Sequence, residues 1–126
     1  LATLIKKIES VEQLFNPNVV KVVVNKNSSA MYFSRSPIPY FRNLDQAEWV
    51  THHTYFKHIG MYAYRNTALE KITRLNISSL GKTESLEQLR WLENGFEIKV
   101  KETDLETIGI DTPEDLKNAL HYISNS

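Results

Sequence analysis

Cysteine is absent from the 126 residues. Disulfides and thiolate metal sites are therefore excluded, and a reducing compartment fits that composition. Charge of one sign is not in excess either: 15 Lys plus Arg stand against 15 Asp plus Glu. The basic surplus that a phosphate-backbone binder needs is missing, so the global case for a nucleic-acid partner fails. No apolar run is long enough to span a bilayer, so no membrane role is expected. Residues 1–8 lack the basic lead-in and the small-residue cleavage site of a secretion signal. The chain opens on Leu1 rather than Met, which reads as the start of a piece cut from something longer. The 4 glycines are scattered singly, so there is no Gly-rich phosphate loop.

What is present is an ordinary globular composition, with 41% hydrophobic and 24% charged residues. A chain of this length can bury roughly two thirds of its unfolded surface as one domain. Residues 1–5 read as a strand. Ser10 with Gln13 forms a capping box that opens a short helix over residues 10–15, ended by Asn16-Pro17-Asn18. Residues 19–24 are a β-branched run interrupted by Lys21, which suggests a strand buried on both faces. A turn at 25–29 and a strand at 30–35 complete a hairpin. The segment 41–54, with mixed polarity and His52-His53, reads as a surface loop. A strand at 55–64 follows, then a helix from the Thr67/Glu70 capping box to residue 75, a loop at 76–82 and a helix at 83–93. Strands at 96–102 and 107–110 precede a helix capped by Thr112 and opened by Pro113, running to about residue 123. The order is β-α-β-β-β-α-α-β-β-α, an α/β or α+β class with a mixed sheet.

Four segments carry chemistry. In Tyr32-Phe33-Ser34-Arg35 a guanidinium ends an apolar strand and can grip a carboxylate through two parallel hydrogen bonds; a solvated Arg is the alternative. In the strand at 55–64, alternation puts Phe56, His58, Gly60, Tyr62 and Tyr64 on one face. That face suits a polyhydroxylated ligand, and equally an aromatic strand packed on a helix. On the helix at 83–93, Leu86, Leu89 and Leu92 form the apolar face. Glu84, Glu87, Gln88 and Trp91 share another sector about 100° wide, readable as a sugar-hydroxyl surface or a solvated face. Finally, Asp111 ends a strand just before a capped helix, where nucleotide chemistry in α/β folds takes place. A carboxylate there can contribute to an Mg2+ site or make a simple turn. His52, His53 and His121 read as surface histidines.

Together with Val20-Lys21-Val22-Val23, the segments Tyr32-Phe33-Ser34-Arg35-Ser36-Pro37-Ile38-Pro39, His58-Ile59-Gly60-Met61-Tyr62-Ala63-Tyr64-Arg65, Glu84-Ser85-Leu86-Glu87-Gln88-Leu89-Arg90 and Gly109-Ile110-Asp111-Thr112-Pro113-Glu114-Asp115-Leu116 resemble, in register, the C-terminal half of the 3-deoxy-manno-octulosonate cytidylyltransferase (CMP-Kdo synthetase) family. The resemblance implies a nucleotide-diphosphosugar transferase-like α/β/α sandwich with a mixed sheet, of which residues 1–126 form the sugar-acid-binding and dimerisation half. It implies a cytoplasmic homodimer acting in lipopolysaccharide biosynthesis, with CTP and Kdo as substrates and Mg2+ as cofactor. By position, Arg35, His58, Tyr62, Glu87 and Gln88 are the expected sugar-acid contacts and Asp111 one metal ligand. The family's triphosphate loop and second metal Asp find no counterpart, so the chain alone is expected to be inactive. A non-catalytic sugar-acid-binding or dimerisation module, and a cytidylyltransferase for another sugar acid, are the alternatives.

Overall fold

β-Branched side chains pack well on a pleated surface and crowd the preceding turn of a helix. Val22, Val23 and Val24 accordingly lie in a strand, flanked by others into a sheet. The computed structural model describes residues 1–104 and 113–124. In chain order the elements are β1 (Ala2–Lys7), α1 (Val11–Phe15), β2 (Lys21–Val24), β3 (Ala30–Ser34), a 3-10 turn (Gln46–Glu48) leading into α2 (Trp49–His52), β4 (Phe56–Ala63), α3 (Asn66–Thr73), α4 (Ser79–Glu84), α5 (Gln88–Glu93), β5 (Lys99–Glu102) and α6 (Pro113–Ser124). The strands form a five-stranded mixed sheet in the order β3-β2-β4-β1-β5. β1 and β5 are parallel, and the other pairs are antiparallel. This is the mixed-sheet α/β class expected from the sequence.

The hairpin of β2 and β3 is closed by local chemistry. Asn25 Oδ1 accepts the backbone N–H of Asn27 at 2.9 Å and of Ser29 at 3.0 Å, an Asx turn, while Ser28 takes the left-handed conformation at φ 59°. The main core joins Ile5, Val22, Phe33, Ile72, Leu86, Leu89 and Ile98 between sheet and helices. Burying one such Leu or Ile is worth about 1.5–3 kcal/mol, and α5 is fastened through Leu89 and Trp91. A second cluster gathers Ile8, Leu14, Trp49 and Tyr55.

That second cluster corrects the reading of 41–54 as a surface loop. Trp49 is buried, and its Nε1–H donates to Leu44 O at 2.9 Å. A four-residue helix is too short to display a period, so its apolar residues look like loop until they find a core. The helix expected at 83–93 is two helices. α4 starts at residue 79, inside the expected loop, where Ser78 Oγ accepts the Gly81 N–H at 2.9 Å. α4 ends at Ser85, whose φ of 56° and ψ of 46° are left-handed, and α5 begins at Gln88. The Ser10 cap forms, with the Gln13 N–H donating to Ser10 Oγ at 3.2 Å. The Thr67/Glu70 box does not, because the start of α3 lies two residues earlier, at Asn66, with Arg65 as its uncapped flank. β5 begins at Lys99 rather than residue 96. The strand expected at 107–110 and the Thr112 cap lie outside the described residues. Among those residues, no helix is long and apolar enough to cross a membrane.

Candidate functional site

Along β4 the pairing with β1 jumps. Leu4 faces Ile59, while Thr3 faces Tyr62. One step along β1 thus matches three along β4, so Gly60 and Met61 bulge out of the ladder. Two extra residues, being even in number, keep His58 and Tyr62 on the same face. Residues four apart in a regular strand stand roughly 13 Å apart. Here the two ring centroids are 5.2 Å apart.

Thr3, buried on β1, sets the state of His58. Its Oγ1 lies 2.8 Å from His58 Nε2 and donates its single proton to Met61 O at 2.7 Å. The ring proton therefore belongs on Nε2, which donates to Thr3 Oγ1, and Nδ1 keeps an accepting lone pair. Burial holds the His58 pKa down to about 4, because removing water penalises the imidazolium. The ring is neutral at pH 7. Phe33 packs edge-on against it, centroids 5.0 Å apart.

Tyr62 carries a buried hydroxyl with no hydrogen-bond partner. Burial, and next the Glu87 carboxylate, raise its pKa. Trp91 meets the Tyr62 ring edge-on with centroids 5.0 Å apart, and its own buried indole N–H is also unpartnered. Unpartnered buried donors are uncommon and call for an explanation such as a ligand or bound water.

Arg35 follows β3 and is anchored firmly. Its Nε–H donates to Glu84 O at 2.7 Å, NH1 to Pro17 O at 3.0 Å and NH2 to Ser85 O at 3.2 Å. Three of the five guanidinium donors are thus on backbone carbonyls, which leaves two for an anion. Glu84 Oε1 accepts the backbone N–H of Arg35 at 3.1 Å. Beneath lies Lys21, fully buried, with Nζ donating to Asn16 O at 2.8 Å. Burial foremost, and the Arg35 charge second, lower its pKa to about 8 against the opposing pull of Glu84.

Of the five residues singled out as sugar-acid contacts, His58 and Tyr62 meet ring to ring, while Glu87 reaches Tyr62 through its charge alone and borders a different cavity. Gln88 opens α5 beside Glu87, and it is buried. Arg35 joins at one remove, through Glu84 and Ser85. The single helix face expected for Glu84, Glu87, Gln88 and Trp91 does not form, since Ser85 breaks the helix and Gln88 and Trp91 turn inward. Tyr62 borders a cavity of about 310 Å³ with Thr3, Leu4 and Met61, and Glu87 borders one of about 260 Å³ with Ser85 and Arg90. His52, His53 and His121 are exposed, as expected. Asp111 lies outside the described residues, among which no group of three or more His, Asp or Glu could hold a metal. Sequence reasoning missed Lys21 and Thr3 as parts of the site. Lys21 did leave a signal, as the one charge in a β-branched run; Thr3 left none.

Fold and site together define an α/β domain with a mixed sheet and a mostly neutral polar cluster beside an anchored guanidinium. The family model described as Cytidylyltransferase matches residues 1–108, and the chain belongs to that family. It is 57% identical over 129 residues to a 3-deoxy-manno-octulosonate cytidylyltransferase of Parabacteroides distasonis, covering 99% of this chain and 51% of the relative. It is 60% identical over 125 residues to the enzyme of that name from Cytophaga hutchinsonii, covering 98% and 50%. A solved structure of CMP:2-keto-3-deoxy-manno-octonic acid synthetase complexed with CTP superposes with a TM-score of 0.85 at 40% identity, over 98% of this chain and 48% of that one. The chain spans about half the length of the curated relatives it matches.

Proposed function

We propose that residues 1–126 form the sugar-acid-binding half of a 3-deoxy-manno-octulosonate cytidylyltransferase, the activity in the names of its relatives. The observation that carries this reading is the buried Tyr62 hydroxyl without a partner, 5.2 Å ring to ring from a neutral His58. A polyhydroxylated ligand offers such groups what the protein does not. The two remaining donors of Arg35 suit the ligand's carboxylate. His58 Nδ1, Tyr62, Glu87 and Gln88 suit its hydroxyls. In this reading CTP is the second substrate, and the reaction is attack of the sugar's anomeric hydroxyl on the α-phosphorus with release of pyrophosphate. Positioning and neutralisation of charge dominate such transfers.

Mg2+ belongs to the proposal by family resemblance, with Asp111 as one ligand. The described residues offer no three-carboxylate or histidine cluster, so no step is derived through the ion. A cytoplasmic homodimer in lipopolysaccharide synthesis is proposed on the same resemblance. The half-length match supports a partial site, so the chain alone should bind the sugar acid yet release no pyrophosphate from CTP and Kdo. Calorimetric titration with Kdo, beside a pyrophosphate-release assay, tests both points. Absence of Kdo binding at millimolar concentration refutes the sugar-acid reading, and robust turnover refutes the half-site.

A further inference from the structure

A lysine with no exposed surface in a strand of valines is an expensive placement. Removing an ammonium from water costs several kcal/mol after relaxation, and sequence neighbours give no reason for it. Lys21 nevertheless has 0% relative exposure. By register it stands opposite Ser34, the residue just before Arg35. Its Nζ holds Asn16 O at 2.8 Å, while Arg35 NH1 holds the next carbonyl, Pro17 O, at 3.0 Å. Two cations thus clamp consecutive carbonyls of the turn that follows α1. That turn is one of three backbone anchors of the guanidinium, with Glu84 O and Ser85 O as the others.

We propose that Lys21 is a positioning residue for Arg35, fixing the turn at Asn16 and Pro17 so that the free guanidinium donors face a small carboxylate. The inference takes the identity of that carboxylate from the sugar-acid reading, and the rest from the geometry of the clamp. The charged and titratable groups around Lys21 are Arg35 and Glu84, Lys57 as its cross-strand partner on β4, and Tyr32, whose pKa burial and then Glu84 raise. Burial and Arg35 bring Lys21 down to about 8. Its charge is therefore present below that pH and lost above it, and the clamp should loosen as pH rises through it.

The test uses the full chain labelled with 15N, with the Arg35 Nε–H signal as reporter. In the parent that signal should be protected from exchange and should show an inflection near pH 8. Lys21→Met, close in length and uncharged, should abolish the inflection and speed Arg35 Nε–H exchange about tenfold or more, the loss of one hydrogen-bonded anchor. Kdo affinity at pH 7 should fall by a similar factor, with the gap between parent and variant closing above pH 8. A folded Lys21→Met protein whose Arg35 signal keeps its protection and its inflection overturns the proposal. Should Lys21→Met not fold, the parent titration decides, because no inflection near pH 8 is then the overturning result. A parent that binds no Kdo defeats the sugar-acid reading alone, and the Arg35 signal still decides the role of Lys21.

Discussion

Replacing His58 by Gln should flatten the acid limb of the stability curve. In the folded chain His58 is held down to about 4, against 6.5 for a free histidine. As pH falls, the unfolded chain takes up the proton first, so folding is penalised. The stabilising contribution is complete above pH 6.5 and is lost progressively down to pH 4. Each unit in that window is worth about 1.4 kcal/mol. Between pH 7.5 and pH 4 the parent should therefore lose about 3 kcal/mol through this one group. Gln cannot titrate. It does forfeit the ring contacts with Phe33 and Tyr62 and the bond to Thr3, a pH-independent offset of about 1–2 kcal/mol. Urea denaturation of both proteins at half-unit steps from pH 4 to 8 gives the two curves. Carboxylates that titrate in the same range are common to both and cancel in the difference. The parent should lead by about 1–2 kcal/mol at neutral pH and trail the variant by a similar amount at pH 4. Parallel curves would refute the reasoning, because they would mean His58 is not a buried neutral ring in the folded protein.

Arg35→Lys removes the fork that reaches three carbonyls; Kdo affinity should drop about ten- to a hundredfold by calorimetry, the worth of one or two charge-assisted bonds. Ser85 is left-handed, so Ser85→Gly should be neutral or raise stability by up to about 1 kcal/mol, while Ser85→Val should cost about 1–3 kcal/mol, both read from thermal melting. Leu89→Ala, at 0% exposure under α5, should cost about 2–5 kcal/mol in urea denaturation. Thr3→Val removes the donor to Met61 O and the acceptor for His58; about 1–3 kcal/mol should be lost, and nitrogen NMR should show the His58 proton no longer confined to Nε2.

Strands proved the most legible part of the chain, because their signal is local. The valines of β2, the turn at Asn25 and the aromatic run of β4 each declare themselves within a few residues. The bulge in β4 does not, since it exists only as a jump in register against β1. His58 and Tyr62 were nonetheless placed correctly on one face, because two inserted residues restore the alternation. The same pattern with one inserted residue would have sent Tyr62 to the opposite side. Trp49 failed for the converse reason: its burial depends on Leu14 and Tyr55, from separate elements, and nothing in 41–54 announces them.

The break between α4 and α5 shows why the candidate site resisted a helical reading. In an unbroken helix, Glu84 O would accept the Gln88 N–H and Ser85 O the Leu89 N–H. Here Arg35 takes both carbonyls, and the Leu89 N–H turns to Leu86 O at 3.3 Å. A cation at the C-terminal end of α4 is favourable for the helix dipole as well. Arg35 therefore ends one helix from a position 49 residues away in sequence. By ending it there, it frees the chain to turn through Ser85 and start α5 with Glu87 and Gln88 at its head. The guanidinium assigned to the ligand and the break that presents the Glu-Gln pair are thus one arrangement. The periodicity of 83–93 can report neither, because the partner of both carbonyls is Arg35, just past the end of β3 and far away in sequence.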